Sequence, residues 1–192
     1  MKSVLEKAWD GVRKSYGEHR INSERALQSI LYHEIITSEG FNSEDRILIE
    51  PNIGPLRPDI VVIGKNDVKC IIEIKCSPHN IFKEGCIKAD IDKLIRYSKL
   101  SIFNLNDFGP NRYFDRINKR WHPMTQDQII PITQSTIFCF AVVALKEDNV
   151  FNFIEAYSVP KNTILMAGEI SPSKTITESK YEFYVKPLNS GA

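Results

Sequence analysis

The stretch Arg57–Cys76, RPDIVVIGKNDVKCIIEIKC, constrains this chain more than any other. Two apolar runs, Ile60–Ile63 and Cys70–Lys75 with its embedded Glu73, flank the polar cluster Gly64-Lys65-Asn66-Asp67. β-Branched residues favour extended backbone, and Gly, Asn and Asp supply turn conformations, so the stretch predicts a β-hairpin. Side chains alternate faces along a strand. Glu73 and Lys75 therefore share one face, while Ile72 and Ile74 point the other way, into a core. Charged side chains flanked only by isoleucine are costly to place unless something uses them. Asp59, at the mouth of the partner strand, can bring a second carboxylate alongside.

Two carboxylates on adjacent strand ends make a hard oxygen site suited to Mg²⁺ or Mn²⁺. The carbonyl of Ile74 can supply a third oxygen. A lysine beside the ion can orient or help deprotonate a water and balance charge on a phosphate, and the ion polarises the phosphate and lowers the pKa of the water. This is equipment for phosphodiester hydrolysis. The plain alternative is an ordinary exposed hairpin face carrying a Glu–Lys pair.

Pro58-Asp59, a gap of 13 residues, then Glu73-Ile74-Lys75 resembles the PD-(D/E)XK nuclease superfamily. The resemblance covers roughly residues 22–145 and implies an α/β protein with a restriction-endonuclease-like fold. In that fold an α-β-β-β-α-β core holds a mixed central sheet flanked by helices. It further implies that Asp59 and Glu73 bind Mg²⁺, with the Ile74 carbonyl as a third ligand and Mn²⁺ as a substitute. Lys75 then positions the attacking water, and a glutamate of the first core helix assists. Glu24 and Glu34 both qualify for that place, and Glu24 is preferred for the Gln28 one turn later and for its spacing to the strands. The implied partner is DNA, on family grounds alone, with a homodimer or a larger complex as the setting. A nuclease fold kept only for binding DNA or protein, and an unrelated α/β protein with a coincidental Glu-x-Lys, are the competing readings.

A chain of 192 residues is expected to form one domain with a substantial core and no need of disulfides. The expected core spans about 22–145, preceded by an extra helix, interrupted by an irregular insertion at 104–134 and followed by a C-terminal strand extension at 146–192. No apolar run reaches the roughly 18 residues that span a bilayer, and the N-terminus MKSVLEKAWDG lacks an apolar signal core. A cytoplasmic protein without a membrane partner is the expectation. Cys70, Cys76 and Cys139 fall in apolar strands, where thiols behave as small apolar groups. Cys70, Cys76, His79 and Cys86 allow a zinc reading, but they lack a C-x₂-C pair.

Net charge is only +1, but residues 83–122 carry a net +4 and the rest a net −3. That bias marks a phosphate-facing side. Within it, Arg112, Tyr113, Phe114, Arg116, Lys119, Arg120, Trp121 and His122 interleave basic and aromatic residues. The mix fits a grip on a phosphate backbone with base stacking, and fits a lid or a dimer contact equally. Arg57 and Gln28 join Arg112, Arg116, Lys119 and Arg120 as nucleic-acid candidates.

Apolar spacing predicts helices over 2–17, over 23–38 with Asn22 or Ser23 as N-cap, and from 87 or 89 to about 101. On the last of these, Asp90, Asp92, Lys93, Arg96 and Lys99 are read as the outer face. Strands are expected at 46–50, 136–145, 150–158 and, as an edge, 181–186. Residues 160–180 read as turns around a short apolar piece, 164–167. Glu50 is a further acid at the edge of the site.

Overall fold

The hairpin forms where its sequence places it. β2 (Ile60–Ile63) pairs antiparallel with β3 (Val68–Ser77), with Ile60 opposite Ile72 and Val62 opposite Cys70. The Gly64 amide donates to the Asp67 carbonyl at 2.8 Å and closes the turn between them. The computed structural model describes residues 1–51, 56–77, 84–104, 112–115, 120–123, 129–146, 150–171 and 180–188.

Helix α1 (Lys2–Gly17) precedes α2 (Glu24–Thr37), which starts at Ser23, whose hydroxyl accepts the Ala26 amide hydrogen at 3.2 Å. β1 (Arg46–Ile49) leads to β2 and β3, and α3 (Glu84–Tyr97) follows. β4 (Ile102–Asn104), a hairpin of β5 (Arg112–Asp115) and β6 (Arg120–Pro123), and the long β7 (Ile129–Leu145) come next. A short α4 (Val150–Glu155), β8 (Thr163–Ser171) and β9 (Lys180–Pro187) complete the order.

The main sheet has seven strands in the order β1-β2-β3-β7-β8-β9, with β4 on the early part of β7. It is mixed. β1, β2 and β3 form an antiparallel meander, β3, β7 and β8 run parallel, and β9 returns antiparallel at the edge. Alternation, broken on β3 between Val68 and Cys70, sorts its side chains into two cores. Ile60, Val62, Cys70, Ile72 and Ile74 pack with α1 and α2, whose stripe includes Leu5, Trp9, Leu27, Leu31 and Ile35. Val61, Ile63 and Ile71 pack on the opposite face with Ile91, Leu94 and Tyr97 of α3 and Phe151 and Ile154 of α4. The helices flank the sheet because each has one apolar stripe to bury and the sheet has two apolar faces. No helix among the described residues is long and apolar enough to cross a membrane.

Three expectations change. The stretch 104–134 is not simply irregular: it ends β4, contains β5 and β6, and begins β7 seven residues before Thr136. The early part of β7 is out of step with the rest. Val68 faces Ile132 but Cys70 faces Ile137. Buried Thr136 fills the irregularity, donating to the Val68 carbonyl at 2.7 Å and accepting from the Thr133 amide at 3.0 Å. Residues 150–155 form a helix, not a strand, because Phe151 and Ile154 face the core with helical spacing. The apolar piece 164–167 is the middle of β8, a buried strand parallel to β7. The C-terminal extension is thus a helix and two strands.

Candidate active site at the open end of the hairpin

Asp59 stands just before β2 and is held at three points. Its carbonyl accepts the Glu50 amide at 2.9 Å and the Gln28 side-chain amide at 3.1 Å. Its carboxylate Oδ2 accepts the Ile74 amide hydrogen at 2.6 Å. The reason lies in the register. Two residues beyond the Ile60–Ile72 pair, Ile74 falls opposite Pro58. Within a strand the N–H and C=O of one residue point to the same side. Proline has no N–H, so the register partner supplies no donor to the Ile74 carbonyl, while the Ile74 amide is taken by the Asp59 carboxylate. Carboxylate and free-sided carbonyl lie along the same open edge.

Glu73 points from β3 toward α3 and is fully buried, at 0% exposure. Its Oε2 takes Lys93 Nζ at 2.9 Å and its Oε1 takes the Tyr97 hydroxyl at 3.2 Å. Lys93 also donates to Asp90 Oδ1 at 2.7 Å. Lys75 Nζ lies between Asp90 Oδ2, at 3.1 Å, and Glu24 Oε2, at 3.4 Å. Asp90 Oδ2 is buried, and this ion-pair contact with Lys75 is the one it makes in place of a well-formed hydrogen bond. Glu24, Glu73 and Asp90 are thereby gathered around two ammonium groups.

The electrostatics follow from that crowding. Burial pushes the Asp59 carboxyl up to about 6, with Glu24 and Asp90 adding to the rise against the Ile74 N–H and Lys93. Burial pushes Glu73 up to about 8, helped by the Asp59 charge and opposed by Lys93. Burial works against the Lys75 ammonium, but Asp90 and Glu24 outweigh it and hold the group charged. Burial likewise opposes the Lys93 charge, and Asp90 and Glu73 reverse the balance. Burial, then Glu73, raise the Tyr97 hydroxyl.

The oxygens of Asp59, Glu73 and Ile74 are the hard donors Mg²⁺ and Mn²⁺ prefer. Among the described residues no three His, Cys, Asp or Glu side chains are grouped to hold an ion by themselves. A divalent ion here would therefore draw on the Ile74 carbonyl as well as on carboxylates. The buried Asp90 oxygen without a well-formed hydrogen bond, and two carboxyls held above their usual range, fit a site short of positive charge.

The structure brings together Glu24, Asp59, Glu73 and Lys75 of the sequence candidates. Glu34 is elsewhere, its carboxyl lying against Gly11 of α1. Gln28, read as a nucleic-acid contact, donates its side-chain amide to the Asp59 backbone. Arg57 is exposed and pairs with Glu50, which leaves β1 with φ +46°. Arg112 and Arg120 lie on β5 and β6, while Arg116 and Lys119 fall outside the described residues. Cys70 is buried against α1 and α2, whereas Cys86 is exposed on α3, on the other side of the sheet, so they do not converge on one zinc; His79 lies outside the described residues.

Sequence reasoning missed Asp90, Lys93 and Tyr97. Asp90 and Lys93 were assigned to the solvent face of α3, yet Asp90 is 6% exposed and Lys93 reaches Glu73. The signal was present: positions 90, 93 and 97 share one helical face, and a buried tyrosine needs a partner for its hydroxyl. Comparison with known proteins gives no match, neither to a family model nor to a curated protein nor to a solved structure.

Proposed function

We propose that this chain is a divalent-cation-dependent nuclease of the PD-(D/E)XK type. In this reading it hydrolyses phosphodiester bonds in DNA as an endonuclease of restriction, phage defence or repair. The observation that carries it is the placement of Asp59, Glu73 and Lys75 around the backbone of Ile74, at the end of one hairpin. A restriction-endonuclease-like core is supported by the order α2, antiparallel β1-β2-β3, α3 and a return strand β7 parallel to β3.

Asp59, Glu73 and the Ile74 carbonyl would hold Mg²⁺ or Mn²⁺. A bound ion supplies Lewis acidity, polarising the phosphate and lowering the pKa of a water. Lys75 is kept as an ammonium by Asp90 and Glu24. Its part is therefore that of a charged donor, orienting the attacking water and balancing phosphate charge, rather than a base. Glu24 positions Lys75. Binding is dominated by the phosphate backbone and weakens with salt.

A second reading, a non-catalytic nuclease-fold subunit that binds DNA or protein, is favoured by one observation: both oxygens of Glu73 are already engaged, by Lys93 and Tyr97. Cleavage of plasmid and single-stranded DNA with Mg²⁺ or Mn²⁺ separates the two. Cleavage by the wild type, lost in both Lys75→Ala and Glu73→Ala, is the expected result. DNA binding without cleavage selects the second reading, and neither activity overturns both.

A further inference from the structure

We propose that Lys93 is a resident counter-cation of this site. Its ammonium holds the place of a divalent ion between Glu73 and Asp90 and is displaced when such an ion binds, with Asp90 joining the ligands. The inference rests on the cation-dependent reading above and adds α3 to it.

Four observations carry it. Lys93 Nζ lies 2.9 Å from Glu73 Oε2 and 2.7 Å from Asp90 Oδ1, so it bridges two buried carboxylates as an ion would. Asp90 is 6% exposed, faces the cluster and has one oxygen whose contact is the Lys75 ammonium at 3.1 Å, without a well-formed hydrogen bond. Three carboxylates, Glu24, Glu73 and Asp90, contact only two ammonium groups, Lys75 and Lys93, while the Asp59 carboxylate is held by the Ile74 amide. Replacing one ammonium by a divalent ion adds a unit of positive charge where it is lacking. Finally, the two partners differ in freedom. Glu73 is at 0% exposure and fixed by the Tyr97 hydroxyl. The Lys93 side chain is 34% exposed, and its flexible stem can carry the ammonium to water without moving α3.

The test is Mn²⁺ binding by the full chain, by calorimetry and by electron paramagnetic resonance of free Mn²⁺, at one fixed pH. Lys93→Met should bind Mn²⁺ about tenfold tighter or more, since it removes a unit charge beside a partly buried ion. Asp90→Asn should bind it about tenfold more weakly. Lys88→Met makes the same charge change on the exposed part of α3 and should stay within about twofold of the wild type. Equal or weaker binding by Lys93→Met overturns the inference while leaving cation dependence intact. No binding by the wild type or any variant overturns both. Because Lys93→Met leaves the buried Glu73 Oε2 without a donor and can fail to fold, a crystal of the wild type soaked in Mn²⁺ gives an independent answer. Lys93 Nζ withdrawn from both carboxylates beside a Mn²⁺ peak supports the displacement, and Lys93 still seated on both overturns it.

Discussion

The Asp59 carboxylate accepts the Ile74 amide hydrogen at 2.6 Å, in the place where strand register would offer the carbonyl of Pro58. One side chain thus finishes the β2–β3 ladder and borders the open edge of the site. Asp59→Asn keeps an oxygen that can accept this bond, whereas Asp59→Ala strands a part-buried N–H. The alanine variant should be about 1–2 kcal/mol less stable than the asparagine variant, read from urea denaturation midpoints. Equal midpoints would show that the bond contributes no net stability.

Stability should fall as pH rises between about 5 and 8. Asp59 has a folded pKa of about 6 against an ordinary 3.8, and Glu73 about 8 against 4.5. Both are raised carboxylates, so in this window the folded chain holds protons that the unfolded chain has released. The slope of unfolding free energy with pH is then negative. The lowered, exposed carboxylates Asp10 and Glu39 act with the opposite sign, below this window. Urea titrations across the window should show the fall in the wild type and a flatter profile in Glu73→Gln. A wild type that gains stability toward pH 8 would contradict the assignment.

Tyr97→Phe keeps the ring in the core and deletes only the hydroxyl that serves Glu73 Oε1. The buried carboxyl loses one of its two donors, and a cost of about 1–2 kcal/mol follows. Chemical denaturation at neutral pH measures it, and an unchanged midpoint would mean that the hydroxyl is replaceable by solvent.

Gly168 of β8 lies under the ring of its cross-strand partner Phe183. A Cβ added there would fall 2.8 Å from Phe183 Cζ and 3.1 Å from a Val143 methyl. The ring has little freedom to yield, being packed 5.5 Å from Trp9 and 5.6 Å from Tyr16 between centroids. Gly168→Val should therefore lose about 1–3 kcal/mol through overpacking, seen as a lower melting temperature, with divalent-ion binding unchanged.

The hairpin and the first two helices were legible because their signals are local: turn residues between β-branched runs, and apolar stripes at helical spacing. Glu24 and Gln28 were legible as neighbours on α2, though not what each would touch. The contribution of α3 was not, since an amphipathic pattern assigns charged residues to water. Only the presence of Glu73 and Lys75 across the interface draws Lys93 and Asp90 inward. The segment 150–155 was misread because Phe151 and Phe153 alternate around Asn152, as in a strand, while the residues that bury are Phe151 and Ile154. β8 was hidden among turn-forming neighbours: its extent is set by pairing with β7 and β9, which no local pattern records.

The turn Gly64–Asp67 contributes no group to the site, yet it sets the reading frame in which β3 is placed against β2. Its closing hydrogen bond and the nearby part-buried Lys69–Asp45 ion pair, at 2.7 Å, brace that end of the hairpin. Because strand faces alternate with period two, adding or removing one residue at this turn, where the neighbouring irregularity at Val62–Ile63 did not absorb it, would carry Glu73 and Lys75 to the α1–α2 side and bring Ile72 and Ile74 in their stead. A length change at the far end of the hairpin would thus erase the acidic cluster as completely as mutating its members, with every one of those residues still present in the chain.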